Sequence, residues 1–233
     1  MLVLSLIALC PSRLKPPLYR VMFGYRIGHN VRIGLSLIDA ERCEIDDDVE
    51  IGHLNVVTRV KHLTIGAHTR IGFLNVIRGG DEVTLGSYAE IARMNEINSI
   101  PNPRVVNACQ PRFILGTGSA VTAGHKIDFT DRVEIGRRTV LGGRNSSLWT
   151  HNRQRTAPLS IGSCSYVGSD ICMAPGSAIP SRCMVGMGAV VVHSLREEGS
   201  FIAGVPARVV RPLEADDEPL LNWQWRDDLP PEL

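Results

Sequence analysis

From Ile161 to Val191, in IGSCSYVGSDICMAPGSAIPSRCMVGMGAVV, an aliphatic side chain returns at every sixth position: Ile161, Val167, Met173, Ile179, Val185 and Val191. A strand alternates with a period of 2 and a helix recurs at 3.6. A six-residue return, usually followed by Gly or another small residue, fits neither and requires short straight strands separated by regular turns. The same register runs backwards through Ile27 and Ile33; Ile45, Ile51 and Val57; Ile65, Ile71 and Ile77; Leu85, Ile91 and Ile97; Leu115, Val121 and Ile127; and Ile135 and Leu141. Three hexads close one turn of about eighteen residues. The first corners, Ile27, Ile45, Ile65, Leu85, Leu115, Ile135, Ile161 and Ile179, then stack as one apolar ladder inside a prism. At the usual strand spacing the prism is on the order of 35 Å long.

A second regularity sits inside the first. Asn55, Asn75 and Asn95 each precede a third-corner aliphatic by two residues, so they point inward and should stack as an amide ladder, since buried amides need partners. His125 falls on this column, which continues in the same count at Asn145. The register lapses twice, at 98–114 and at 148–160, and excursions from a rigid scaffold are favoured places for binding residues.

Composition narrows the classes. The chain of 233 residues is 44% hydrophobic, enough for one main domain with a sizeable core. Lys and Arg number 25 against 24 Asp and Glu, with no basic field and no interleaved aromatic patch to hold nucleic acid. The six cysteines form no CxxC pair and mostly fall inside hexads, reading as reduced thiols and a cytoplasmic setting. The opening MLVLSLIALC is too short to span a bilayer and lacks a preceding positive charge. Residues 1–24 read as a cap on the open end of the prism, the alternative being peripheral contact of residues 1–20 with the inner face of the plasma membrane. His53, His62 and His68 are the only candidate zinc cluster, and their spacing does not match a close ligand pair, so no metal is expected.

The hexads IGHNVR, IGAHTR and IGSCSY resemble those of the hexapeptide-repeat acyltransferases, and the resemblance covers about residues 25 to 211. It implies an all-β fold, a left-handed parallel β-helix over 25–195, with a short N-terminal cap and a coenzyme-covering segment and tail over 196–233. SLWTHNRQ looks like the loop in which sugar O-acetyltransferases of this family carry a catalytic histidine, here His151. IGSCSYVGS is similar to the next coil, with Tyr166 where the family usually has Trp. FIAGVPARVVR resembles the terminal segment that closes over acetyl-CoA.

The resemblance thus implies His151 as general base and the backbone N–H of Ser169 as oxyanion donor. Tyr166, Gly168, Gly186, Gly188, Ala203, Gly204, Pro206, Arg208 and Arg211 would line the acetyl-CoA slot. His125, Asp128, Asn145, Trp149 and Asn152 would border the acceptor. His125, three residues before Asp128, is the rival base, but its register turns it inward. The implied activity is acetyl transfer from acetyl-CoA to a carbohydrate hydroxyl, for cell-surface or exported polysaccharide, by a homotrimer. N-acylation of an amino sugar and a non-catalytic scaffold are the alternatives. The acidic end with Trp223 and Trp225 reads as a staple onto a neighbouring coil or subunit.

Overall fold

In the computed structural model, which describes residues 2–102, 107–222 and 226–230, the six-residue return becomes three interior ladders of a parallel β-solenoid of about nine turns. The first runs Ile27, Ile45, Ile65, Leu85, Leu115, Ile135, Ile161, Ile179, each paired in register with the next. The second runs Ile33, Ile51, Ile71, Ile91, Val121, Leu141, Val167, Val185, Ile202. The third runs Ile38, Val57, Ile77, Ile97, Ile127, Leu148, Met173, Val191. All are buried. Each ladder defines one face of the prism.

The turns explain the period. Between the first and second faces, Asp48, His68, Tyr88, Gly118, Arg138, Cys164 and Arg182 all take positive φ; between the second and third, so do Leu54, Leu74, Met94, Gly124, Asn145, Asp170 and Gly188. Left-handed backbone costs a non-glycine residue roughly 1–2 kcal/mol. Packing of the aliphatic ladders above and below offsets that cost, which is why so few of these positions need be glycine.

The asparagine column forms as expected and carries its hydrogen bonds up the axis. Asn55 Oδ1 accepts from the backbone N–H and Nδ2 of Asn75, Asn75 Oδ1 accepts from the same two groups of Asn95, and Asn95 Oδ1 accepts from the N–H of His125. Above His125 the column passes to Ser146, whose N–H donates to His125 Nδ1 at 3.1 Å, and not to Asn145. The coil carries an extra residue where Ala123 pairs with Arg144, so the count slips by one and Asn145 turns outward with φ 63°.

Both excursions are shorter than their sequence limits suggest. Leu148 keeps its place in the third ladder, and strand Ser147–Trp149 pairs with Lys126–Asp128 below and Cys172–Met173 above. Likewise Phe113 is buried in strand Arg112–Leu115. Both departures leave the corner between the third and first faces.

Helices Leu2–Leu9 and Lys15–Phe23 close the lower end, burying Leu4, Ile7 and Tyr19 into the core cluster. The buried Lys15 ammonium donates to the Gly34 carbonyl. No helix among the described residues is long and apolar enough to cross a membrane. At the upper end, Ser200–Gly204 and Ala207–Pro212 form an antiparallel hairpin. The chain then descends the corner between the first and second faces, where Arg182 meets Glu218 at 2.8 Å and Arg70 meets Asp228 at 3.0 Å. Trp223 and Trp225 lie outside the described residues.

Candidate active site

The last residues of the third-face strands stack in register, with Arg78 under Asn98, Asn98 under Asp128 and Asp128 under Trp149. Past Trp149 the chain leaves the coil, and the bridge between His151 and Thr156 folds it back as a short loop. Asn152 accepts the N–H groups of Gln154 and Arg155 on its Oδ1, fixing the tip. Asn107, in the other excursion, accepts from the Thr156 N–H at 2.6 Å and donates to its carbonyl at 3.3 Å. The two excursions are therefore laced together.

Asp128 is the hub of this corner. Its Oδ1 accepts from the N–H and hydroxyl of Thr130, and its Oδ2 from the N–H and hydroxyl of Thr150, the N–H of His151 and, at 2.7 Å, His151 Nδ1. An ionised carboxylate only accepts, so Nδ1 carries the imidazole proton. Nε2 keeps its lone pair and has no partner among the described residues. Asp128 is 7% exposed and His151 26% by side chain, so the carboxylate is held in the wall while the imidazole reaches solvent. That arrangement suits proton abstraction by Nε2. His151 lines a cavity of about 160 Å³ with Asn98, Ser99, Lys126, Asp128 and Trp149. The Lys126 ammonium sits 5.3 Å from the Trp149 ring centroid.

His125 does not pair with Asp128. Its ring lies between the Thr122 hydroxyl and the Ser146 N–H, 1% exposed, and burial pushes its pKa down to about 4. It is a neutral member of the interior column.

The residues expected around acetyl-CoA gather elsewhere. Tyr166, Gly168 and Ser169 follow one another along the second face and its corner, Gly186 and Gly188 lie one coil above, and a Cβ on Gly186 would come within 3.4 Å of Ala203. Gly204 and Pro206 close the hairpin, in which Ala203 pairs with Arg208. The Arg208 guanidinium makes no ion pair among the described residues. Arg211 is already engaged, 2.6 Å from Asp217 and 5.1 Å from the Phe201 ring centroid. That pairing holds the hairpin to the turn that follows.

Ser169 and His151 thus sit at opposite ends of the third face, separated by roughly 15–20 Å of extended chain. Asn145 lies at the Ser169 end and Asp128 and Trp149 at the His151 end. Within one chain the two groups of residues do not meet. Sequence reasoning missed Thr130 and Thr150, which fix Asp128, and Arg78, Ser99 and Lys126, which line the cavity. The register column from Arg78 to Trp149 was the available signal. Among the described residues no three His, Cys, Asp or Glu side chains converge as a metal site.

Register and winding define a hexapeptide-repeat β-solenoid bearing an oriented histidine. No family model and no curated protein matches the chain. Among solved structures it is similar to the polySia specific acetyltransferase NeuO, at 15% identity over 81% of this chain and 82% of that one, TM-score 0.49. It is also similar to LpxA, a UDP-N-acetylglucosamine acyltransferase from Bacteroides fragilis, at 16% over 79% and 69%, TM-score 0.48. AntD, an N-acyltransferase from Bacillus cereus, aligns at 16% over 89% and 93%, TM-score 0.39. At such identity and score the likeness assigns no residue of this chain a role.

Proposed function

We propose that the chain is an acyl-CoA-dependent acyltransferase that acetylates a carbohydrate hydroxyl, with His151 as general base and Asp128 as its positioning residue. The reading is carried by the 2.7 Å contact that directs His151 Nδ1 to a buried carboxylate and leaves Nε2 free on a side chain lining a cavity. A scaffold without chemistry has no need of a carboxylate in the wall committed to orienting a partly exposed imidazole.

The acceptor oxygen attacks the thioester carbonyl as Nε2 takes the hydroxyl proton. The tetrahedral oxyanion then collapses, the C–S bond breaks, and the departing thiolate takes the proton back from Nε2. No covalent enzyme intermediate is required. A positioned base contributes about 10² to 10⁴ in rate. The N–H of Ser169 would serve as oxyanion donor, typically worth about 10² to 10³. Because Ser169 and the glycines expected around the coenzyme occupy the other corner, a complete site would need one copy's His151 to meet a neighbour's Ser169. This favours a homotrimer in which each site is shared.

The test is acceptor-dependent release of coenzyme A from acetyl-CoA across a panel of neutral, acidic and amino sugars. Turnover only with amino sugars would replace O-acetylation by N-acylation. No acceptor-dependent release from any member would count against acyl transfer.

A further inference from the structure

The His151 cavity continues downward. A second hollow of about 300 Å³ opens at the same corner beneath it, and Arg78, Ser99, Ile100 and Pro101 line both. Arg59, Lys61, Gly79 and Gly80 also line the lower hollow. Gly79 and Gly80 have φ of 79° and 87°, and a Cβ on Gly80 would fall 2.2 Å from the Phe129 ring. The backbone turns tightly against the core there, which keeps the hollow open.

Its charge is one-sided. Lys61 lies 2.6 Å from Asp81, which offsets its charge. In the upper cavity Glu96 is 3.8 Å from Lys126. Arg59 and Arg78 are exposed and make no ion pair among the described residues. Two guanidinium groups with no ion pair among the described residues, both on residues lining one hollow, fit an oxyanion by charge-assisted hydrogen bonds. Register puts Arg78 three rungs below Trp149. At the strand spacing that is on the order of 14 Å, the length of two or three linked sugar-sized units.

We propose that this lower hollow is an acceptor subsite for a negatively charged group, seated on Arg59 and Arg78, on a carbohydrate whose reacting hydroxyl lies at His151. The inference rests on the acyl-transfer reading for the direction of the acceptor, but the anion site itself does not. The oxyanion is a phosphate of a sugar nucleotide or a carboxylate of an acidic oligosaccharide.

Calorimetry with uridine diphosphate and with trigalacturonate separates the two sources, using the full chain at two salt concentrations. The double variant Arg59→Gln/Arg78→Gln is compared with Arg137→Gln/Arg138→Gln, an equal change of charge at the corner between the first and second faces. The expected result is that one or both probes bind the parent and the control alike, more weakly at high salt. Binding to the Arg59/Arg78 variant should fall at least tenfold. Neither probe binding the parent, equal binding to the Arg59/Arg78 variant, or equal weakening in the control would overturn the proposal. Binding is read without turnover, so a protein that holds the anion yet never releases coenzyme A refutes acyl transfer and leaves the subsite standing.

Discussion

Asp128→Asn separates the orienting role of the carboxylate from its role in the fold. The amide oxygen can take the Oδ2 position, keeping the bonds from Thr150, the His151 N–H and His151 Nδ1. The new NH₂ then faces Thr130, whose hydroxyl can turn to accept but whose N–H, 3.3 Å from Oδ1, loses its acceptor. One weak buried bond is lost and the rest lose their charge, a cost of about 1–3 kcal/mol. For a chain of this size that lowers Tm by roughly 3–10 °C. Catalysis loses the negative charge beside the imidazolium that forms when Nε2 takes a proton. That attraction is about 4 kcal/mol at an effective dielectric near 20 and a charge separation near 4 Å, and about 2–3 kcal/mol after allowing for the partial exposure of His151. Turnover should fall roughly 30- to 160-fold, in kcat rather than KM. Thiol release and thermal melting on the same preparations check both figures. A folded Asp128→Asn protein with parent kcat would refute the positioning role.

Three other outcomes follow. His125→Asn should continue the amide column and remove an acid sensitivity. The folded pKa of His125, about 4, lies below the usual 6.5, so the unfolded chain binds the proton first. The parent therefore loses about 3 kcal/mol as pH falls from 6.5 toward 4, a loss the variant does not share; denaturant melts of parent and variant should agree near pH 7 and diverge at acid pH, with the variant the more stable. Gly80→Ala places a methyl against Phe129 in left-handed backbone, and its Tm should drop by an amount equivalent to more than about 2 kcal/mol, with no change in secondary structure by circular dichroism. Coexpressing His151→Ala with a Gly186→Trp chain, each inactive alone, should restore part of the activity if sites are shared between copies, whereas light scattering that gives a monomer mass would exclude sharing.

The interior was legible because a solenoid repeats one environment many times. Ladder positions separated by 18 to 30 residues in sequence, such as Ile27 and Ile45 or Leu85 and Leu115, still pair in register. The inward turn of His125 followed from the same count. The site was less legible because it forms where the count breaks. Asp128 and His151 are 23 residues apart, and their contact depends on an extra residue near Gly142 and on a loop whose length no periodicity sets. Placing Leu148 in the lapse concealed which corner His151 leaves from, and with it the separation of His151 from Ser169. The pairing of Arg211 with Asp217 was not legible because Asp217 belongs to a tail outside the repeat.

His151→Ala, assayed beside the parent for coenzyme A release with an accepted carbohydrate, puts the proton-transfer role to the test. The side chain stands on an excursion and only its ring contact to Asp128 is lost, so the variant should melt within a few degrees of the parent and still bind coenzyme A. Its turnover should fall by about 10² to 10⁴. A stable, coenzyme-binding His151→Ala protein that keeps near-parent turnover would contradict the assignment and move the chemistry away from this corner.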